Sequence, residues 1–132
     1  MQGLHLTADL YDCRCADALF TDETLLRDTL LAAVEKSGLT GVARLFHSFG
    51  PGAGVTGVVL LAESHLAVHT WPERGAVTLD VYVCNFGSDN SARAHALFDD
   101  LSAVFMPSHQ QTHTIKRGLP LETLPPETLA RG

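Results

Sequence analysis

The sequence predicts a single α+β domain in which a mainly antiparallel sheet is covered by helices on one face. Six segments have the alternation or the short apolar run of β-strands, and two have the apolar repeat of amphipathic helices. Their order along the chain is β-α-β-β-β-β-α-β. The length of 132 residues is typical of one domain, which we expect to span 1–132.

The first third of the chain predicts one strand and one helix. Residues 4–11 alternate in polarity, as a half-buried strand does, and residues 12–20 are expected to form a loop. Thr21 or Asp22 would cap the helix, and Gly38 would end it. The apolar stripe of this helix consists of Leu26, Leu30, Ala33 and Val34.

The centre of the chain predicts three strands. Residues 42–49 form the first, and a glycine-rich turn at 50–54 leads into residues 55–62. The segment 55–62 is apolar on both faces, which favours a strand inside the sheet. Residues 66–70 are expected to form the next strand.

The last third predicts a strand, a helix and a final strand. Residues 77–84 alternate cleanly, which puts Cys84 on the polar face. Residues 89–91 would cap the helix, whose stripe is Leu97, Phe98, Leu101, Val104 and Phe105. Residues 112–116 are expected to be a strand, and the proline-containing tail from Leu119 is expected to be loosely ordered.

Composition and charge argue against several classes of protein. The formal net charge of −6 disfavours nucleic-acid and anionic-membrane partners, which select basic surfaces. Cys13, Cys15 and Cys84 form no CxxC pair, and their odd number predicts free thiols in a reducing compartment. The histidines lack metal-ligand spacing, so no metal site is predicted. With no recognisable leader, we expect a cytoplasmic protein.

The most unusual stretch ends the long apolar run of residues 58–62. The run gives way to Glu63-Ser64-His65, and His69 follows four residues later. If the Ser64 hydroxyl attacks the Glu63 carbonyl, the peptide bond becomes an ester. Elimination of that ester and hydrolysis would leave a pyruvoyl group derived from Ser64. The chain would then consist of two pieces, 1–63 and 64–132.

This route needs proton-transfer groups and donors for the developing oxyanion. His65, His69 and Thr56 are the candidates, and both histidines share one face of an extended strand. A pyruvoyl carbonyl forms a Schiff base with a substrate amine and withdraws electrons as carbon dioxide leaves. The Cys84 thiol could then supply the proton that the resulting carbanion needs.

Each of these residues also fits a structural role when taken alone. Ser64 could be an ordinary strand-end serine, and His69 a hydrogen-bonded structural histidine. Cys84 could be an inert small side chain, and Phe49 and Trp71 could belong to the core. The chemistry by itself leaves both interpretations open.

The central stretch closely resembles the prokaryotic S-adenosylmethionine decarboxylase proenzymes. The resemblance is carried by Glu-Ser-His-Leu at 63–66 and Val-His-Thr-Trp-Pro-Glu at 68–73, and it extends over roughly residues 4–118. The flanking residues that share it are 5–6, 9–11 and 13, 46–47 and 49, 54–58, 80–82 and 84, and 117–118.

The resemblance implies a self-processing decarboxylase that converts S-adenosylmethionine to its decarboxylated form for spermidine synthesis. It implies cleavage between Glu63 and Ser64, with Ser64 becoming the pyruvoyl group. His69 would transfer protons in processing, with support from Thr56, and Cys84 would be the proton donor in decarboxylation.

The resemblance also implies where the substrate binds and how the chains assemble. Phe49 would stack on the adenine, and Glu73 would hold the ribose. Two cleaved protomers would form an (αβ)2 dimer, an αββα sandwich with sites near the interface.

The chain departs from the family pattern at a few positions. Thr56 replaces a frequent serine, and Arg74 and Ala76 stand where tyrosines are usual. Asn85 follows Cys84 where the family commonly has glycine. These changes keep two alternatives in view: a pyruvoyl-dependent arginine or ornithine decarboxylase of the same family, and an unprocessed regulatory or binding homologue.

Overall fold

A computed structural model describes residues 2–118, in which six strands form one sheet. The strands are β1 (Gly3–Tyr11), β2 (Gly41–Ser48), β3 (Val55–Leu61), β4 (Ser64–Trp71), β5 (Ala76–Cys84) and β6 (His109–Arg117). Their order across the sheet is β2-β3-β4-β5-β1-β6, and every neighbouring pair is antiparallel. The predicted α+β class is confirmed. The tail from Leu119 lies outside the described residues.

The longer of the predicted loops contains a helix that the sequence pattern did not indicate. Residues 12–20 were expected to be irregular, but α1 (Ala18–Thr21) forms a single turn there. Four residues are too few to produce an apolar repeat, so periodicity cannot detect such a helix. Phe20 is its buried residue and joins the core.

Helix α2 (Glu23–Ser37) begins and ends at the predicted residues. The Asp22 carboxylate accepts hydrogen bonds from the N–H groups of Thr24 and Leu25, which would otherwise lack partners at the helix start. Gly38 ends the helix with a φ of 87°, a left-handed conformation that glycine adopts without a Cβ penalty. The whole predicted stripe of this helix is buried.

Helix α3 (Ser91–Phe105) is started by the predicted polar segment. Asp89 Oδ1 accepts a 2.9 Å hydrogen bond from the Ser91 N–H, and this bond lowers the pKa of the Asp89 carboxyl. Four of the five predicted stripe residues are buried, and Val104 is half-buried. Both long helices therefore present an apolar face to the sheet.

The sheet has a covered face and an open face. On the covered face, α2 packs over β2 and β3, and α3 packs over β1 and β5. Successive register partners Leu6, Val81, Leu66 and Val59 form one buried row there. Among residues 2–118, no helix covers the opposite side, which we call the open face.

The open face carries several large apolar side chains in contact with solvent. The prediction that β3 is buried on both faces is met only on the covered face, because Leu60 remains 46% exposed. The other large apolar residues exposed on the open face are Tyr11, Leu45, Phe49, Trp71 and Ile115. An apolar surface of this extent is typical of a surface that binds another protein.

Candidate active site

The Glu63–Ser64 bond lies in a two-residue hairpin turn between β3 and β4. Leu61 and Ser64 are register partners, so only Ala62 and Glu63 connect the two strands. The Ala62 N–H donates to the Thr40 carbonyl at 2.8 Å, and the Thr40 N–H donates to Glu63 Oε1 at 3.0 Å. These two hydrogen bonds tie the turn to the segment that enters β2.

The carbonyl oxygen of Glu63 already accepts a short hydrogen bond. The donor is the backbone N–H of Cys84, at 2.7 Å, at the end of the neighbouring strand β5. This is the oxygen on which negative charge would develop if Ser64 attacked, so the N–H is in position to stabilise it. Cys84 is half-buried, as the alternation predicted, and lines a cavity of about 310 Å³ beside Glu63.

The side chain of Ser64 is half-buried and faces an imidazole. Ser64 Oγ lies 3.4 Å from Nδ1 of the adjacent His65. His65 Nε2 in turn lies 3.3 Å from Asp80 Oδ2. The three side chains form a hydroxyl–imidazole–carboxylate series, the arrangement that activates a serine for attack.

A second histidine approaches the same carboxylate. His5 Nε2 lies 2.9 Å from Asp80 Oδ2, and Arg117 donates to His5 Nδ1 at 3.1 Å. The ring of Tyr82 lies between the two imidazoles, because Tyr82 is the register partner of both His5 and His65. His5, Tyr82 and His65 therefore form one row across β1, β5 and β4 on the open face, and Asp80 lies in the adjacent row on β5.

The same cluster contains residue types that can bind a metal ion. The ligand atoms of His5, His65 and Asp80 all lie within 4.8 Å of one another. However, the Arg117 guanidinium has only donors, so His5 Nδ1 must accept, and its proton is on Nε2. A protonated Nε2 has no lone pair for a metal, so this arrangement suits a hydrogen-bonded neutral imidazole rather than a ligand.

The other predicted residues form a second group, at the far end of β4. Ring centroids of His69 and Trp71 are 4.1 Å apart, those of Phe49 and His69 are 5.6 Å apart, and those of His47 and Phe49 are 4.8 Å apart. A cavity of about 300 Å³ lies here and is lined by Phe49, His69, Trp71 and Glu73, among others. The cavity offers aromatic faces and one carboxylate.

Thr56 belongs to this far group. It is the register partner of His69 across β3 and β4, and its hydroxyl donates to the Val68 carbonyl at 3.4 Å. A larger concavity of about 610 Å³ crosses the open face from Thr56 and His69 to His5 and Asp80. The two groups therefore open onto the same side of the sheet.

The two groups do not meet within one chain. His69 follows Ser64 by five residues on one strand, which corresponds to about 16 Å. The sequence pattern suggested that Ser64, His69, Thr56 and Cys84 lie together, but of these a single chain brings together only Ser64 and Cys84.

Some site residues had only weak signals in the sequence. His5, Asp80 and Tyr82 have the alternation of open-face positions, but their meeting depends on the β1–β5–β4 register. A place in the core was the structural alternative for Trp71, but its side chain is 39% exposed. Its place in the strand after His69 was the available signal, because residues 65, 67, 69 and 71 share a face.

Two further observations concern the cysteines and the helices. Cys13, Cys15 and Cys84 are all free thiols, as predicted. Among residues 2–118, no helix is long and apolar enough to cross a membrane.

Comparison with protein families gives a match over nearly all of the described chain. The profile of the family described as S-adenosylmethionine decarboxylase matches residues 4–118. These residues include the Glu63–Ser64 turn, Cys84 and the aromatic cavity.

Individual relatives carry the same name. The chain is 42% identical over 103 residues to the S-adenosylmethionine decarboxylase proenzyme of Parasynechococcus marenigrum, covering 78% of each chain. It is 34% identical over 116 residues to the proenzyme of that name from Archaeoglobus fulgidus, covering 88% of this chain and 97% of the relative.

A solved structure has the same fold. The crystal structure of the adenosylmethionine decarboxylase from Aquifex aeolicus superposes with a TM-score of 0.80 at 35% sequence identity. The match covers 93% of this chain and 96% of that one.

Proposed function

This chain belongs to the S-adenosylmethionine decarboxylase family, and we propose that it makes its cofactor from its own Ser64. It is a pyruvoyl-dependent decarboxylase that converts S-adenosylmethionine to decarboxylated S-adenosylmethionine and carbon dioxide, for spermidine biosynthesis. The observation that supports the assignment of Ser64 most directly is the 2.7 Å hydrogen bond from the Cys84 N–H to the Glu63 carbonyl oxygen.

Self-cleavage follows from the chemistry of the turn. Ser64 Oγ adds to the Glu63 carbonyl carbon, and the Cys84 N–H stabilises the negative charge on the oxygen. The C–N bond breaks, the nitrogen takes a proton, and an ester joins Glu63 to the Ser64 side chain. Loss of the Ser64 Cα proton expels the Glu63 carboxylate. Hydrolysis of the remaining enamine releases ammonia and leaves the carbonyl.

The products are a β chain of residues 1–63 and an α chain of residues 64–132. The single domain stays together because both chains contribute to one sheet. Strands β3 and β4 lie on opposite sides of the cut and remain paired from Thr56 to Leu61. Glu63 also keeps its side-chain hydrogen bond to the Thr40 N–H, which holds the new carboxyl end near the start of β2.

Decarboxylation uses the same end of the sheet. A pyruvoyl group at position 64 would supply a carbonyl for a Schiff base with the substrate amine and would withdraw electrons during loss of carbon dioxide. Cys84 is adjacent to this position because its backbone is hydrogen-bonded to Glu63. We assign its thiol as the donor of the proton that replaces the carboxylate on the substrate.

The aromatic cavity suits the nucleoside part of the substrate. Phe49 is 55% exposed, so its ring can stack on adenine, and the Glu73 carboxylate can accept hydrogen bonds from ribose hydroxyls. The substrate carries a sulfonium cation, which is attracted to the faces of aromatic rings. Trp71, beside His69, offers such a face.

A complete site requires two copies of the chain. His69 supplies proton transfer in processing and Thr56 supports it, yet both lie about 16 Å from Ser64 along β4. Packing two open faces against each other about a two-fold axis can bring the far group of one copy to the Ser64 of the other. We therefore assign each site to Ser64 and Cys84 of one copy, with Thr56, His69, Phe49 and Glu73 of the second.

The open face has the character of a dimer interface. Six large apolar side chains are exposed on it, and two such faces packed together would form an αββα sandwich. The proposed assembly is an (αβ)2 dimer. Its three free cysteines per chain suit a reducing compartment, and we propose that the enzyme works in the cytoplasm.

Mass spectrometry of the freshly purified protein under denaturing conditions tests this proposal. We expect two fragments split after Glu63, the larger with a pyruvoyl group in place of serine, and a single intact chain for Ser64→Ala. An intact wild-type chain would contradict self-processing. Release of carbon dioxide from S-adenosylmethionine, and not from arginine or ornithine, would identify the substrate.

A further inference from the structure

We propose that His65 is the base that removes the hydroxyl proton of Ser64 in the first step of self-cleavage, and that Asp80 holds it in the required tautomer. This proposal rests on the proposed function, since it concerns how Ser64 is activated. It assigns catalytic work to His65 and positioning work to Asp80, His5 and Arg117.

The first support is the distance between His65 and the reacting atom. Nδ1 of His65 lies 3.4 Å from Ser64 Oγ, within reach of a long hydrogen bond. Such contacts are often long before reaction and shorten as the transition state forms. His69 lies about 16 Å along the strand, so His65 is the imidazole that the same chain can offer.

The second support is the tautomer. Nε2 of His65 faces Asp80 Oδ2 at 3.3 Å, and an ionised carboxylate can only accept. Contact with this carboxylate favours the neutral tautomer that carries its proton on Nε2, and this tautomer leaves Nδ1 with a lone pair facing the hydroxyl. A histidine without this carboxylate could carry its proton on either nitrogen.

The third support is that the carboxylate is itself fixed. Asp80 Oδ2 also accepts from His5 Nε2 at 2.9 Å, and His5 Nδ1 accepts from Arg117 at 3.1 Å. The Arg117 guanidinium, which always donates, determines the tautomer of His5. The positive charge of Arg117 is thereby connected through His5 to Asp80.

The fourth support is the packing of the rings. Tyr82 contacts both imidazoles, with centroid distances of 5.2 Å to His5 and 5.6 Å to His65. The two imidazoles meet edge to face at 6.1 Å, and the Arg117 guanidinium lies 5.1 Å from the Tyr82 ring centroid. Rotation of His65 away from Ser64 would disrupt these contacts.

Ser64, His65 and Asp80 account for every proton transferred in this step. Ser64 Oγ loses its proton to His65 Nδ1 as it bonds to the Glu63 carbonyl carbon. The resulting imidazolium is stabilised by the Asp80 carboxylate. It returns the proton to the Ser64 nitrogen as the C–N bond breaks, so His65 ends the step neutral and no external reagent is consumed.

The experiment compares the rate of cleavage in four variants with that of the wild type. His65→Ala removes the base, and Asp80→Asn removes the carboxylate that sets the tautomer. His95→Ala and Asp99→Asn are matched controls, because both residues are exposed on α3. Intact and cleaved chains are quantified by mass spectrometry over time, and thermal melting checks that each variant is folded.

We expect His65→Ala to cleave at least about 100-fold more slowly than wild type, since general base catalysis contributes about 10²–10⁴-fold. Asp80→Asn should also cleave more slowly than wild type, by about ten-fold or more, because it permits the wrong tautomer of His65. Added imidazole should accelerate His65→Ala and have no effect on Ser64→Ala. A purely structural role of His65 would give no imidazole rescue.

Hydroxylamine identifies the step at which His65 acts, because it cleaves esters far faster than amides. Uncleaved His65→Ala should resist hydroxylamine, since its Glu63–Ser64 bond is still an amide. Rapid cleavage by hydroxylamine would show an accumulated ester and overturn the assignment to the first step. If His65→Ala cleaves as fast as the wild type, the proposed role of His65 is wrong and the proposed function stands. If the wild type is not cleaved, both proposals are wrong.

Discussion

The backbone N–H of Cys84 and the carbonyl oxygen of Glu63 are joined by a 2.7 Å hydrogen bond that connects the end of β5 to the cleavage turn. Under the proposed function, one residue contributes to both reactions through different groups. Its N–H would stabilise the oxyanion during self-cleavage, and its thiol would donate a proton during decarboxylation. Side-chain substitutions can separate these two contributions, because they leave the N–H in place.

Cys84→Ala should separate cleavage from turnover. We expect its chain to be cut after Glu63, since the N–H donor remains, and its decarboxylation of S-adenosylmethionine to fall by about 100-fold or more, as for loss of a proton donor. Fragment masses and carbon dioxide release measure the two reactions on one preparation. Cys15→Ala is the control and should retain both. A folded Cys84→Ala that decarboxylates at the wild-type rate would remove Cys84 from the chemistry.

Trp71→Leu should weaken binding of the charged substrate selectively. A cation–π contact contributes about 1 kcal/mol at a partly exposed site, which corresponds to about five-fold in affinity. We expect the KM for S-adenosylmethionine to rise by about that factor. Inhibition by S-adenosylhomocysteine, whose sulfur is neutral, should change less. Equal losses for both ligands would show that Trp71 acts by stacking or packing alone.

The sheet was predictable from the sequence because its signals are local. Residues 77–84 alternate along the strand, and the structure has β5 at Ala76–Cys84 with Cys84 half-buried on the open face. Asp22 and Gly38 marked the ends of α2 for the same reason, since caps act within one turn. The single turn of α1 escaped because it contains too few residues for any period.

The set of residues that meet in the site was harder to predict from the sequence, because it depends on the register between strands that are distant in sequence. His5 and Asp80 are 75 residues apart in sequence and meet only when β1 pairs with β5. The motif at 63–73 suggested one compact constellation, but an extended strand separates Ser64 from His69. Residues of a motif are close in sequence, but on an extended strand five residues correspond to about 16 Å.

Thr70→Val should destabilise the protein by removing two buried hydrogen bonds. Thr70 is buried, its hydroxyl accepts from the Val55 N–H at 2.9 Å, and it donates to the Phe20 carbonyl at 2.6 Å. Valine has the same shape and leaves both backbone groups unpaired, which costs about 1–3 kcal/mol. Urea unfolding measures the loss. Thr29→Val removes only a solvent-exposed hydrogen bond to the Leu25 carbonyl on α2, so it should shift the midpoint much less.

The reactivity of Cys13 should depend steeply on alkaline pH. Burial raises the pKa of this thiol to about 11, with smaller contributions from Cys15 and Asp12. At pH 8 roughly one Cys13 in a thousand is then a thiolate, so alkylation by iodoacetamide should be slow and should rise until about pH 11. Peptide mapping of the alkylated sites measures this rate. If the rate of Cys13 alkylation already levels off near pH 9, the raised pKa is contradicted.

The raised pKa of the Cys13 thiol also makes the free energy of unfolding depend on pH. The neutral thiol is favoured in the folded chain, so its contribution is complete below pH 9.0 and is lost as the pH rises towards 11. Because Cys13 is only partly buried, solvent reduces the size of this loss. Cys13→Ala should show a smaller fall in the free energy of unfolding between pH 9 and 11 than the wild type.

Mixed dimers should test whether each site draws on two copies. Ser64→Ala lacks the cleavable residue and His69→Ala lacks the far imidazole, so each homodimer should stay uncut or be cut slowly. In a mixed dimer, one site combines Ser64 of the His69→Ala chain with His69 of the Ser64→Ala chain. Co-expression with different affinity tags should therefore restore cleavage of the His69→Ala chain alone. Failure of that chain to cleave in a purified mixed dimer would mean that His69 acts within its own copy, which the separation of about 16 Å along β4 opposes.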